Sequence, residues 1–234
     1  MTVLIEGRYC GPCDSGNGGY AAGAAAAALG SPLGPVEVTL RYPPPLDRPL
    51  QVSRTAEGVS VGFDDTTVAS ARTAELNVEP PQVVSYEQAT DAAKGFPWRF
   101  EHPYPRCFVC GTERPDGLRI HPGPVDGHRL AAAPWTPDGS LADSAGVVRP
   151  EVVWASVDCP SWFGYGCFEP WQGLFLLGRF TARIDRLPLV DEPCVLTGWD
   201  LGRDGRKHDS AAALHSAEGE LLALSRALWI TLKK

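Results

Sequence analysis

Residues suited to chemistry fall in two places far apart in the chain. Near the N-terminus, Ser15-Gly-Asn-Gly-Gly19 precedes Tyr20 and a run of small residues ending at Leu29. Far downstream, Asp158 and Cys159 stand side by side within a stretch rich in aromatics: Trp154, Trp162, Phe163, Tyr165, Phe168 and Trp171. A carboxylate in apolar surroundings can remove a proton from water or attack directly, and burial raises its pKa toward neutrality. Asn17 is a good N-cap, and the glycines after it leave the first backbone N–H groups of a helix uncovered. Such groups hold negative charge, an oxyanion included. Each feature also has a plain structural use. The glycines suit a turn before a core helix, and Asp158 suits a cap at a ragged helix end or an ion pair with Arg149. The aromatics suit either a core or the wall of an apolar pocket.

The cysteines carry weaker signals. Cys10-x-x-Cys13 and Cys107-x-x-Cys110 together would supply four thiolates for tetrahedral zinc. A whole domain's length of sequence separates the pairs, however, whereas zinc ribbons are compact, so no metal is expected. Cys10-Gly-Pro-Cys13 has a redox spacing, but such a motif belongs in a βαβ unit, and no parallel β/α pattern exists here. Cys159 has no histidine near it in sequence and reads as a buried free thiol. His102, His121, His128, His208 and His215 form no ligand spacing.

These residues need elements to position them. Tyr20–Leu29 contains no charge and is rich in alanine, the best helix former. Gly30 and Pro32 end it. A helix apolar on every side is a buried one. Strands follow at Val36–Tyr42, Leu50–Arg54, Val59–Phe63 and Thr67–Leu76, read from alternation and turn residues. Asn77–Pro105 is proline-rich, with a short helix over Tyr86–Ala93. Gly117–Ile120 and His128–Trp135 read as strands, and Arg149–Tyr165 as a second helix with Pro150 at its first position, ending near Pro160 or running raggedly to Gly166. The strands Cys194–Leu201, Ser210–Ser216 and Leu221–Leu232 complete the chain.

The chain repeats itself. Leu33-Gly34, Pro44, Leu46, Asp47, Pro49 and Val52 recur as Leu177-Gly178, Pro188, Val190, Asp191, Pro193 and Leu196, always 144 positions on. A repeat of that length dictates two copies of one structural unit. Asp14 precedes Asp158 by the same spacing and is a secondary candidate. The copies differ at the helix start: Gly146-Val-Val-Arg-Pro-Glu lacks the Asn-Gly-Gly sequence, and Pro150 removes a donor.

Composition narrows the partners. A net charge of -7 and a pI near 5.2 argue against a nucleic acid held by its phosphates. Hydrophobic content of 44% and charged content of 21% suit a packed globular core. No apolar run is long enough for a membrane span, and no signal peptide is evident. A cytoplasmic protein with reduced thiols is expected.

A buried helix wrapped by an antiparallel sheet, present twice, resembles the double hotdog fold of acyl-CoA thioesterase-like proteins. Gly-Asn-Gly-Gly-Tyr-Ala-Ala-Gly resembles the start of the first hotdog helix. Trp154-Ala-Ser-Val-Asp-Cys, with strands ending in Ala-Leu-Trp-Ile, resembles the second hotdog. The resemblance implies an α+β chain with a first hotdog over 1–76, a linker over 77–105 and a second hotdog over 106–234. It implies one pseudo-site at the seam. There Asp158 directs water, the backbone of Gly18, Gly19 and Tyr20 holds the thioester oxygen, Asn17 holds either the attacking water or that carbonyl, and Trp154 and Trp162 contact the acyl group. The expected activity is hydrolysis of an acyl thioester of CoA or a carrier protein, without a cofactor. Neither nucleic acid nor membrane is an expected partner, and a homo-oligomer is possible. The alternative is a non-hydrolytic binder of acyl thioesters or hydrophobic small molecules, or a dehydratase.

Overall fold

The computed structural model describes residues 1–169 and 173–232; Trp171 lies outside them, as does the side chain of Cys13. The first helix, α1 (Gly18–Leu29), starts where the Asn17 side chain accepts the Tyr20 N–H. It stops at Gly30, in the left-handed region with φ 91°. The Gly30 and Ser31 N–H groups bond back to the last turn of α1, satisfying carbonyls that a helix end leaves open. Nine of its twelve residues are buried, as the absence of charge requires.

Eleven antiparallel strands form one sheet: β1 (Thr2–Val3), β2 (Val36–Leu40), β3 (Leu50–Arg54), β4 (Val59–Phe63), β5 (Thr66–Thr73), β6 (Gly123–Pro124), β7 (Ala131–Trp135), β8 (Phe175–Ile184), β9 (Cys194–Asp204), β10 (Lys207–Ser216) and β11 (Leu221–Thr231). Their order is β1-β3-β4-β5-β2-β8-β11-β10-β9-β7-β6. Around the β2–β8 junction the two halves mirror each other. There Val36 pairs with Ala182 and Val38 with Phe180. The 144-residue offset carries Val36 to Phe180 and Val38 to Ala182, so the junction maps onto itself and marks a pseudo-twofold axis. Asp47 and Asp191, one offset apart, both have positive φ (54° and 62°). The repeated prolines thus flank the same turn in each copy. The architecture is a double hotdog.

The second central helix differs from its expected form. It divides into α3 (Pro150–Ser156) and α4 (Asp158–Gly166), with a break at Val157 (φ −94°, ψ 3°). Asp158 therefore opens a helix and is not the cap of an ending one. α1 meets α3 closely, because Gly19 and Gly23 present no side chains. A Cβ on Gly19 would lie 2.5 Å from Asp158 Cβ, and one on Gly23 2.8 Å from Trp154 Cβ.

Residues 77–105 do more than connect. Helix α2 (Tyr86–Ala93) is capped by Ser85 in a reciprocal box with Gln88. Its Ala89 and Ala92 pack in a second apolar cluster with Leu130, Ala132, Val195, Ala211 and Leu224, on the opposite sheet face from the main core. The following Phe96, Trp98 and Tyr104 enter the main core. Gly117–Ile120 is not a strand. Leu118 and Ile120 do alternate inward, but their N–H groups bond the carbonyls of Phe108 and Val109 in a neighbouring loop. No helix among the described residues is long and apolar enough to cross a membrane.

Candidate active site

The start of α1 and the start of α4 meet at the seam. Asp158 is 2% exposed. Its Oδ2 accepts the Gly19 N–H and the Asn17 Nδ2–H, both at 2.9 Å. Asn17 uses its other side-chain atom, Oδ1, to cap α1. One asparagine therefore fixes the helix start and the carboxylate together. This arrangement needs the close approach at Gly19, since a Cβ there would collide with Asp158. Asp158 Oδ1 has no partner among the described residues and is shielded from solvent. A buried acceptor left open is costly unless a water or substrate group fills it.

Burial is the main force on this carboxyl and raises its pKa to about 7; the Cys107 sulfur adds to the rise, while the Gly19 N–H and Asn17 oppose it. A carboxyl poised near neutrality can take and return a proton under ordinary conditions.

Both Asp158 and Gly18 line a cavity of about 190 Å³. The Gly18 N–H, at the first helical position, donates to no protein acceptor among the described residues, which leaves it free for an incoming oxygen. The apolar wall is mostly aromatic: Trp98, Trp162, Phe163, Phe175 and Trp229, with Leu177. Trp162 stacks on Phe175 at 3.7 Å between centroids and meets Trp229 edge-on. The Tyr104 hydroxyl donates to the Phe175 carbonyl at 2.9 Å and fixes that wall. On the first-half side, Leu40, Arg41, Tyr42 and Pro44 close the lining. No histidine lines the cavity among the described residues.

Not every candidate reaches this place. Asp158, Asn17, Gly18 and Trp162 line the cavity. The Gly19 N–H is committed to Asp158 and the Tyr20 N–H to Asn17, so neither donor is free for an oxyanion. The Tyr20 ring stacks on Tyr9 at 3.8 Å, away from the lining. Trp154 is fully buried, its indole donates to the Pro32 carbonyl at 2.8 Å, and it packs edge-on to Phe180. It supports the α1–α3 contact and does not line the cavity. Asp14 is exposed, in a 3-10 turn before α1. The 144-residue spacing does not extend to the helices, whose caps Asn17 and Arg149 stand closer together in sequence. Arg149 does not pair with Asp158; its guanidinium donates to the Tyr9 hydroxyl and the Leu141 carbonyl.

The thiol pairs also separate. The Cys10 sulfur lies against the Arg106 carbonyl and the Arg114 guanidinium. Cys107 and Cys110 instead face Cys159 across the cavity wall. Burial holds the His102 pKa down to about 4 and lowers that of His121 as well, so both rings are neutral parts of the packing near neutral pH. Sequence reasoning missed Trp98, Phe175 and Trp229 as wall residues. Their common face arises only when the segment before Cys107 folds over the ends of β8 and β11.

No family profile matches the chain, and no curated protein matches it by sequence. Solved structures do match its fold. A tesB protein of Mycobacterium avium subspecies paratuberculosis is 13% identical, with a TM-score of 0.59 over 96% of this chain and 90% of the other. A hot dog fold protein of unknown function from Alicyclobacillus acidocaldarius is 15% identical, with a TM-score of 0.58 over 98% and 92%. Both likenesses run nearly end to end and agree with the double hotdog.

Proposed function

We propose that this protein hydrolyses an acyl thioester, carried on CoA or a carrier protein, by water that Asp158 directs. The observation that carries this reading is the buried Asp158 carboxyl in the lining of an apolar cavity, its Oδ2 pinned by Asn17 and Gly19 and its Oδ1 without a partner among the described residues. In this mechanism the acyl chain enters the aromatic wall and the thioester carbonyl points at the start of α1. The Gly18 N–H donates to the carbonyl oxygen as negative charge develops there. Water bound to Oδ1 loses its proton to the carboxylate as it attacks the carbonyl carbon, and the thiol leaves with the proton returned. A cavity of about 190 Å³ exceeds the ~150 Å³ that accommodates benzene in an engineered protein core. The acyl group is accordingly ring-sized or a short chain of similar bulk, without internal charge. The tesB protein with the same double hotdog is consistent with this reading.

A panel of acyl-CoAs assayed by thiol release tests it, with Asp158→Asn as the control. Release from ring-sized and short acyl groups, abolished in Asp158→Asn, is the expected outcome. Release that survives the substitution rejects the role given to Asp158. One observation favours a non-hydrolytic binder: Gly19 and Tyr20 spend their N–H groups inside the protein, leaving Gly18 as the free donor at the start of α1. Binding of acyl-CoA without turnover would select that alternative. A dehydratase pairing of histidine with carboxylate finds no support in the cavity lining.

A further inference from the structure

Three of the cysteines converge on the cavity wall from two separate segments. Cys107 and Cys110 lie in the loop before Gly111, and Cys159 lies in the first turn of α4. Their sulfurs all fall within 4.8 Å of one another, and Cys107 Sγ is 3.8 Å from Cys159 Sγ. Four ligands at about 2.3 Å around tetrahedral zinc place sulfur atoms about 3.8 Å apart along each edge. The other three cysteines whose side chains are described do not cluster. Cys10, Cys167 and Cys194 each turn their sulfur toward a backbone carbonyl.

The loop that carries two of the thiols is held in one shape by its backbone. The Gly111 N–H turns back to the Cys107 carbonyl at 2.9 Å. Only glycine fits that turn, because a Cβ would lie 2.5 Å from the same carbonyl and 2.6 Å from that of Pro105. The loop is anchored from outside as well: the Phe108 N–H donates to the Cys10 carbonyl, and Leu118 and Ile120 donate to Phe108 and Val109. Asn17 Nδ2 approaches Cys107 Sγ at 4.0 Å from the cavity side.

From this convergence we infer that Cys107, Cys110 and Cys159 form a binding site for one thiophilic divalent cation of the zinc class. Cys107, Cys110 and Cys159 all line the cavity, and the proposal puts the fourth coordination position toward that space, filled by water or a small ligand. Three protein ligands with one open position is the pattern of a metal site that remains accessible. The ion would tie the 107–111 loop to the first turn of α4, beside Asp158. The site is distinct from the four-thiolate combination that the two Cys-x-x-Cys pairs suggest, because it excludes Cys10 and recruits Cys159.

The test is a metal titration of the reduced full-length protein, with Zn²⁺ in competition with a chromophoric chelator and Co²⁺ as a spectroscopic probe. One equivalent per chain is expected, with sulfur-to-cobalt charge-transfer absorption in the near ultraviolet. Cys159→Ser and Cys110→Ser should each weaken binding by about a hundredfold or more, since even groups that only orient a ligand account for ~10–100-fold. Cys194→Ser should leave binding unchanged. Circular dichroism confirms that each variant is folded. Should a serine variant unfold, alkylation of the wild type gives the same answer: Zn²⁺ should protect three thiols from modification. Failure of the folded, reduced wild type to bind either ion, binding that survives Cys159→Ser, or thiols unprotected by Zn²⁺ would each overturn the assignment. None of these readouts depends on hydrolysis.

Discussion

The two central helices descend from one repeated plan and have diverged in use. α1 starts at Asn17 with Gly-Gly behind it, runs unbroken to Gly30 and is lined with alanine. Its counterpart starts at Arg149 with no side-chain cap, has Pro150 at its first position and breaks at Val157. Nine residues past each cap, the first helix carries Ala26 and the second carries Asp158. One half thus offers backbone donors with no acid, and the other offers an acid with its first donor removed. The sheet shows the same division of labour. The outer face of the second half is apolar and covered by α2, through Ala211, Ala213 and Leu224. The outer face of the first half carries Glu37, Ser60 and Arg72, with Arg72 and Glu37 paired at 2.8 Å. The repeat accounts for the scaffold, and on the proposed reading the asymmetry between the copies accounts for the site at their seam.

That comparison can be strained at several points. The largest effect is expected at the acid: Asp158→Asn should lower kcat/KM for the best acyl-CoA by ~10²–10⁴-fold, the usual range for a positioned base. The fold should survive, because the amide oxygen still accepts from Gly19 and Asn17. Next come the glycines of the helix contact. Gly19→Ala and Gly23→Ala both force a Cβ into the second helix and should each cost about 1–3 kcal/mol of stability by overpacking, read from denaturant melts. Only Gly19→Ala should also cripple turnover of the folded fraction, since only Gly19 touches Asp158. Asn17→Ala should remove about 1 kcal/mol as a lost cap and reduce kcat by about 10²-fold, the low end of what a positioned polar group supplies. The smallest effect is expected at Arg41, the exposed cation in the cavity lining. Arg41→Ala should raise KM for CoA thioesters a few-fold, less so at high salt, with kcat unchanged.

Much of this asymmetry was legible beforehand, and the reasons are local. The 144-residue spacing survives at Asp47 and Asp191 because the same left-handed turn recurs in each copy. The boundaries of α1 were readable because Asn17 and Gly30 act within one turn of the helix they end. Gly117–Ile120 misled because alternation reports which side chains turn inward and not where the backbone finds its partners. The break at Val157 had a sign in Pro160, which has no N–H for the Ser156 carbonyl and crowds it, but the proline did not tell that a second helix would resume at Asp158. Within the site, Asp158 and Asn17 could be chosen by type, and Gly18 by its place at a helix start. Trp154 could not be separated from Trp162 in this way. They are eight positions apart, on different helical segments, and only the break between α3 and α4 sends one toward Phe180 and the other toward Phe175. The gathering of Cys159 with Cys107 and Cys110 depends on long-range folding that no local pattern encodes.

The central claim is that residues from opposite halves act as one unit, and a double-mutant cycle between Asn17 and Asp158 tests it most directly. Groups acting together give strongly non-additive losses. kcat/KM for Asn17→Ala/Asp158→Asn should therefore be no lower than for Asp158→Asn alone. Losses that simply multiply would mean that Asn17 and Asp158 act independently, contradicting a shared site at the seam.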